Sequence, residues 1–348
     1  MMKTTFFSSS ELRDLIARYS QVFILTDEEV AMFWLPEFCH WMDCNGTQEI
    51  VLRSGEEMKT LKTAQMIWEK LLKYQADRHA LLVNLGGGVI SDLGGFVASC
   101  YKRGVDFVNV PTTLLAMVDA AIGGKNGVDF QGYKNQIGTF AMPLGVWICP
   151  TFLKTLPPRE VHSGWAEMMK YGFIKDEELL NTNNDNYTHY IQQCAEIKSD
   201  IVAEDPYEKG PRKVLNFGHT LGHALEAHFA DSNVPLTHGE AVAYGMWAAL
   251  WLSCRQCGLS EEVLADYEPK MEWLLSKSSS LIEEADADAI IHYLSQDKKN
   301  ESGEPRFVLL EEVGKPIIGQ AVPMSLLKEA VRELALRSAR LATLRDQQ

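Results

Sequence analysis

The chain has 348 residues, 46% of them hydrophobic, and a formal net charge of −14. That is enough apolar chain for the cores of two domains, and the acidic balance excludes a nucleic-acid-binding surface, which would be basic. The seven cysteines are odd in number and scattered; they make no disulfide framework, so a reducing cytoplasm is the expected compartment. The first ten residues hold no long apolar stretch of the signal-peptide kind, and no apolar run reaches membrane-spanning length, so neither a leader nor a membrane partner is expected.

Taken in chain order, the first half alternates short apolar strands with helical segments. Strands are expected at 21–25, 49–52, 80–85 and 105–110, and helices at 58–75, at 91–100 and after Pro111-Thr112-Thr113. This repetition predicts a parallel sheet covered by helices. From about Pro157 the periodicity becomes helical, over 161–171, 187–203, 220–229, 240–257 and 326–336, with a single strong strand candidate at 306–310. The expected architecture is therefore an α/β, Rossmann-like nucleotide-binding domain over 1–156 and an all-α domain over 157–348, with the site in the cleft between them.

Several clusters carry chemistry. Gly86-Gly87-Gly88 joins a buried strand to a helix, where backbone can approach a pyrophosphate and helix N-terminal N–H groups favour its charge. Ser91 stands where the strict glycine fingerprint needs its third glycine, so a tight structural turn is nearly as good a reading. Pro111-Thr112-Thr113 supplies a second strand-to-helix loop of the same kind. Gly123-Gly124-Lys125-Asn126-Gly127 and Gly132-Tyr133-Lys134-Asn135 place lysines among glycines in expected loops, with Asp119 just upstream. Solvated turns would look alike, but the recurrence of Gly, Lys and Asn points to an anion site.

In the second half, Glu167 and Lys170 share a face of an otherwise apolar helix. His219 and His223 are four apart, and His238 follows. One carboxylate and two imidazoles leave open positions on a divalent cation, which is a catalytic arrangement. Spacing alone admits His219, His223 or both as ligands. Arg212 and Asn216 share the helical face of these histidines by spacing, and Lys198 lies on the preceding helix. His228 reads as surface. Cys254 and Cys257 have redox-motif spacing but end an apolar helix and read as buried or half-buried thiols.

Together these motifs resemble the 3-dehydroquinate synthase family of the sugar-phosphate cyclases, over about Thr26 to Gly314. The resemblance rests on Gly55-Glu56-Glu57-Met58-Lys59, the Gly86 loop with Asp92, Arg103-Gly104-Val105, Val110-Pro111-Thr112-Thr113, Gly123-Gly124-Lys125, Lys134-Asn135, Ala166-Glu167-Met168-Met169-Lys170, the segment from Gly218 to Glu226, His238-Gly239-Glu240 and Asp297-Lys298-Lys299. It implies Zn²⁺, with Co²⁺ as a substitute, on Glu167, His219 and His238, which moves His223 to the substrate's phosphate region. It implies substrate contacts from Asp119, Lys125, Asn135, Lys170, Lys198, Arg212 and Asn216, and a phosphate-binding lysine at either Lys298 or Lys299. It further implies NAD⁺ contacts from Asp27, Glu56, Lys59, Gly87, Gly88, Asp92, Thr112, Thr113, Asp119, Lys125, Lys134, Phe152 and Thr155. Arg103 is implied to reach the neighbouring subunit's site in a homodimer. Ser91 and Glu29 depart from the usual family residues on the cofactor side.

The implied reaction converts a phosphorylated sugar acid, 3-deoxy-D-arabino-heptulosonate 7-phosphate, to 3-dehydroquinate and phosphate through transient oxidation by NAD⁺. Two other readings compete. A zinc polyol dehydrogenase of the glycerol-dehydrogenase type would release NADH. A catalytically dead regulator would be expected to have lost a ligand or a pocket lysine, and none is missing.

Overall fold

The computed structural model describes residues 3–44, 46–131, 133–230, 232–278, 282–283, 286–296 and 305–345. By its internal contacts the chain divides into two units: Met1–Leu156 with Ile191–Tyr207, and Pro157–Tyr190 with Glu208–Gln348.

The first unit contains α1 (Ser9–Ile16), β1 (Val22–Asp27), α2 (Glu28–Met42), β2 (Gln48–Leu52), α3 (Leu61–Lys73), β3 (Leu81–Gly86), α4 (Gly88–Cys100), β4 (Asp106–Pro111) and a hairpin of β5 (Lys125–Phe130) and β6 (Tyr133–Phe140). Strands β1 to β4 form a parallel sheet in the order β2-β1-β3-β4. β1 and β3 are buried almost throughout, as expected for central strands covered on both faces. Phe23, Leu25, Ile50, Leu82, Leu93, Val97 and Phe107 share one core cluster. The strand order reverses between β1 and β3, which makes their C-terminal ends the switch point where open α/β sheets bind ligands.

Sequence periodicity located these strands to within a residue or two, but it missed α2. That helix carries Pro36 in its interior and is apolar on much of its surface, so it shows no clean amphipathic period. The glycine–lysine stretches read as loops are instead β5 and β6: Lys125 opens one strand, and Lys134 and Asn135 lie in the other. Gly127 and Gly138 lie opposite each other in this hairpin; glycines obscured the period-two pattern there.

The second unit opens with α5 (Pro158–Ile174); the next helix, α6 (Ile191–Glu204), belongs to the first unit. The second unit continues through α7 (His219–Phe229), α8 (His238–Gln256), α9 (Glu261–Leu274), α10 (Ala287–Gln296), a hairpin of β7 (Arg306–Glu312) and β8 (Lys315–Ala321), and α11 (Met324–Arg345). Among its described residues, the regular structure is helical apart from that hairpin. The second hairpin strand was not expected, because Lys315–Ala321 is only partly buried and carries a glycine and a proline.

Backbone contact sets the packing of α5, α7 and α8. A Cβ on Gly239 would lie 2.1 Å from the Ser163 carbonyl oxygen of α5, and one on Gly245 would lie 1.9 Å from the Gly218 carbonyl oxygen at the start of α7. The Gly239 N–H donates to Ser163 Oγ at 3.0 Å. A methyl group at either position requires the helices to separate, and overpacking of this kind costs about 1–3 kcal/mol. Gly239→Ala should therefore lower the urea midpoint of unfolding without changing the slope, and it should weaken metal binding by displacing His238. An unchanged midpoint in that variant would show that the helices can yield.

Candidate active site

Three donors from three helices of the second unit meet at one point. Glu167 lies in the middle of α5, His219 is the first residue of α7 and His238 is the first residue of α8. Their ligand atoms all lie within 4.8 Å of one another. His219 Nε2 and His238 Nε2 are each 3.4 Å from Glu167 Oε1. Glu167 is fully buried, and Lys170, one turn on, pairs with its other oxygen while only 1% exposed.

The orientation of both rings is fixed from behind. His219 Nδ1 lies 3.0 Å from the Phe217 carbonyl oxygen, and His238 Nδ1 lies 3.2 Å from Glu226 Oε2. Those acceptors hold the proton on each Nδ1, which leaves the Nε2 lone pairs facing a carboxylate oxygen. With both Nε2 atoms deprotonated, three lone-pair donors face one another and repel unless a cation lies among them; a proton on His238 or a divalent metal ion answers this, and the donor set fits the metal. The N-terminus of α8 is itself locked. Thr237 and Glu240 form a capping box, and Glu240 receives a two-pronged ion pair from Arg159 at 2.6 and 2.7 Å.

The two histidines titrate in opposite directions. Burial, with Lys170 adding to it, pushes His219 down to about 3. Burial also opposes charge on His238, but Glu226 and Glu167 outweigh it and push His238 up to about 10. Without metal, His238 therefore carries a proton at neutral pH and His219 does not.

His223 is exposed. Its ring is 5.5 Å from that of His219 and 6.4 Å from that of His238, and it lies outside the donor cluster. Arg212 and Asn216 do not continue the helix of the histidines as their spacing suggested. They lie in a separate 3₁₀ turn, Pro211–Asn216, and the chain turns through φ +78° at Gly218 before α7 begins. Arg212 is buried, and Asn216 Nδ2 donates to Glu208 Oε1 at 2.6 Å. His228, read as surface, is half-buried and lies 2.8 Å from Asp286 Oδ1. Glu226 had not been singled out, although it sits seven residues after His219 on the same helix face. Lys298 and Lys299 lie outside the described residues.

In the first unit, the ends of β3 and β4 lie side by side, with Gly86 paired to Pro111. Gly87 caps α4 without a side-chain hydrogen bond, and a Cβ there would meet Thr113 Cγ2 at 3.0 Å. Three buried hydroxyls at or near this edge, on Thr26, Ser91 and Thr112, have no protein partner among the described residues. A glycine-lined helix N-terminus with such hydroxyls fits the phosphates of a dinucleotide. Asp27 ends β1; its Oδ1 caps α2 through the Glu29 and Val30 N–H groups, both at 3.0 Å. Glu56 opens an exposed 3₁₀ turn. Buried Lys59 pairs with Asp92 at 2.7 Å. Burial opposes its charge, but Asp92, Glu56 and Asp129 hold it above the ordinary lysine value.

Asp119 lies in a π-helical turn, Ala116–Ala120, of the kind that gathers at functional sites. Lys198 of α6 binds it twice, through its carboxylate at 2.9 Å and its backbone oxygen at 2.6 Å. Lys198 thus belongs to the first unit, while Arg212 belongs to the second. A buried chain of amides, Asn84 to Asn109 to the Ala121 carbonyl, ties β3 and β4 to the end of this turn. Lys125, Lys134 and Asn135 are exposed on the hairpin, and Asn135 adopts φ +53° while its N–H donates to Asp129. Phe152 and Thr155 touch Trp34 of α2, through an edge-on ring contact at 5.2 Å and a 2.7 Å hydrogen bond. No helix among the described residues is long and apolar enough to cross a membrane.

The chain matches the N-terminal model of 3-dehydroquinate synthase over residues 49–163 and the C-terminal model over 164–300. It is 38% identical to the 3-dehydroquinate synthase of Parabacteroides distasonis, covering 92% of this chain and 94% of that one. It also resembles a solved 2-deoxy-scyllo-inosose synthase complexed with carbaglucose-6-phosphate, NAD⁺ and Co²⁺. That match has 27% identity and a TM-score of 0.82, and it covers 94% of this chain and 96% of that one. The fold is shared with 2-epi-5-epi-valiolone synthase of Streptomyces hygroscopicus, at 24% identity and a TM-score of 0.80, covering 97% of this chain and 98% of that one.

Two outcomes test the metal centre. His219→Ala should abolish binding of one divalent ion per chain, and His223→Ala should retain it. Glu226→Gln should weaken binding by about 10–100-fold, the usual cost of losing a carboxylate behind a ligating histidine. Chelator competition reads all three, and equal loss in the two histidine variants would reject the donor set. The second outcome concerns pH. Metal displaces the proton of His238, so calorimetry in buffers of different ionisation enthalpy should show close to one proton released per ion at neutral pH. That release should fade as pH rises through about 10. No release at neutral pH would mean that His238 is already neutral.

Proposed function

Because the chain belongs to the 3-dehydroquinate synthase family, we propose that it converts 3-deoxy-D-arabino-heptulosonate 7-phosphate to 3-dehydroquinate and phosphate, with NAD⁺ and Zn²⁺, or Co²⁺ in its place, as cofactors. The observation that carries this reading is the convergence of Glu167, His219 and His238 beside buried Lys170. When bound, the metal supplies a Lewis acid for the substrate's C5 oxygen and the nicotinamide a hydride acceptor.

The chain's own groups divide the remaining work. Glu167, His219 and His238 hold the metal, and Glu226 and the Phe217 carbonyl keep the two imidazoles aimed at it. Lys170 places a desolvated ammonium next to the donors, where it opposes negative charge developing on a substrate oxygen. Exposed His223, whose ring lies 5.5 Å from that of His219, serves the phosphate end. Buried Arg212 suits a carboxylate, and Asn216 suits a hydroxyl. One of Lys298 and Lys299 serves the phosphate.

In the first unit, Gly87, Gly88, Thr112 and Thr113 receive the dinucleotide's phosphates, and Asp27 with Glu56 take its ribose side. Lys59, Asp92, Lys134, Phe152 and Thr155 complete the cofactor contacts. Asp119, Lys125, Asn135 and Lys198 face substrate, the first two also touching the cofactor. Lys198 is neutralised by Asp119 in the resting protein and is released to an anion only if that pair loosens.

The reaction oxidises and then re-reduces one carbon, so NAD⁺ is required but not consumed. With the heptulosonate phosphate, phosphate release should scale with turnover while absorbance at the NADH band returns to baseline. NADH accumulating in step with turnover would instead make the chain a polyol dehydrogenase.

The protein is further proposed to act in the cytoplasm as a homodimer in which Arg103 completes the partner's site. Supporting this, Lys102 and Arg103 adopt φ of 49° and 67° in succession, and Gly104 follows at 114°. Two adjacent left-handed side-chain-bearing residues are uncommon and cluster at functional sites; here they present an exposed arginine. Arg103→Ala and Lys125→Ala should each be inactive alone. Mixed dimers of the two restore one complete site, so co-refolding should recover a fraction of parental activity. No recovery from verified mixed dimers would place Arg103 in its own chain's site.

A further inference from the structure

Helix α2 ends in a cap that brings two cysteines together. Asp43 turns left-handed at φ 53°, and the Cys44 N–H reaches back to the Cys39 carbonyl at 3.1 Å. This six-to-one hydrogen bond is the Schellman arrangement, which packs the side chain of the last-turn residue against that of the residue two past the cap. In most helices an apolar pair fills those positions. Here both are cysteines, both half-buried, and the cap places their side chains against each other. The backbone of the cap therefore brings the two cysteines together.

We propose that Cys39 and Cys44 are a reversible dithiol–disulfide pair, a redox modification site at the end of α2 that reacts with small-molecule disulfides. The two sulfurs have different roles. Hydrogen bonding from Cys44 favours the thiolate on Cys39 and lowers it below the ordinary thiol value, although burial and Glu49 work against this. The same bond, together with burial, keeps the proton on Cys44. Cys39 is thus the attacking thiolate. It attacks one sulfur of the small disulfide, forming a mixed disulfide and expelling one small thiolate. Cys44 then gives up its proton to solvent and attacks the Cys39 sulfur, closing the protein disulfide and expelling the second thiolate. The protein loses two electrons and the small disulfide gains them. The bond closes a very short loop at a partly exposed position, so it stabilises the fold little and remains open to reduction.

The remaining cysteines lack this arrangement. Cys254 and Cys257 have the spacing of a redox motif, but the Cys254 thiol donates to the Ser260 carbonyl at 3.7 Å and not to Cys257. Burial, with Glu261 adding to it, pushes Cys254 up to about 11, and burial raises Cys257 as well. Cys194 is fully buried.

The test uses the full chain in oxidised glutathione, quenched with an alkylating reagent and mapped by peptide mass. The expected product is a Cys39–Cys44 peptide lighter by two hydrogens, reversed by dithiothreitol, with Cys254 and Cys257 still alkylated. In the reduced protein at neutral pH, Cys39 should alkylate on the order of tenfold or more faster than Cys254, because reactivity follows thiolate fraction. Cys44→Ser should trap a glutathione adduct on Cys39, and Cys39→Ser should leave Cys44 unmodified; melting curves of both variants report whether they fold. A disulfide between Cys254 and Cys257 formed in preference would overturn the proposal, and the parental protein alone decides this. Equal adducts on Cys39 and Cys44 in the two serine variants would overturn the assignment of Cys39 as attacker.

Discussion

The second unit's chemistry depends on how closely α8 approaches α5 and α7. Packed helices ordinarily stand about 8–10 Å apart, a gap that long side chains fill. Here the contact is backbone on backbone, through Gly239 against Ser163 and Gly245 against Gly218. That closeness lets one carboxylate and two imidazoles bring their tips within 4.8 Å of one another. Placing both histidines at the first residue of a helix adds to the effect, since a helix start can be aimed by its cap. Arg159 and Glu240 fix that aim for α8.

The same packing buries charge, and the charges are arranged to balance. Around the metal-free donors, Glu167 and Glu226 are offset by Lys170 and by the proton that His238 holds. Exchanging that proton for a divalent ion leaves the cluster positive by one charge. A desolvated excess of positive charge suits a substrate that carries two anionic groups and an oxygen that becomes negative during reaction. Such a cluster contributes little to stability, since buried ion pairs rarely repay their desolvation.

The first unit shows a similar economy with fewer buried charges. Parallel strands that end together give two helix N-termini at one edge, and the Asn84–Asn109 chain anchors the turn carrying Asp119 to those strands. The cysteine pair at the other end of α2 follows the same logic. A cap formed to satisfy the last backbone groups of a helix also sets which side chains touch. Spacing in the sequence drew attention to Cys254 and Cys257, yet three-residue spacing at the end of a continuous helix leaves the Cys254 thiol directed at a carbonyl.

The sequence by itself determined the parallel α/β half, the helical half, the family and most of the chemical groups. Periodicity and motif spacing are properties of short windows, and those windows lie inside single elements. It did not reveal α2, because an interior proline and an apolar surface leave no period to read, nor the β5–β6 hairpin, because glycines blur the alternation. Motif spacing left His219 and His223 open, the family resemblance chose His219, and the tertiary structure brings it to Glu167; only the tertiary structure decided that Glu226 stands behind His238, that Arg212 and Asn216 lie on their own turn, and that Lys198 pairs with Asp119 in the first unit. Each of these depends on the approach of segments a dozen or more residues apart, or on a single left-handed residue such as Gly218 that ends one helical phase and begins another. Local preference carries no information about either.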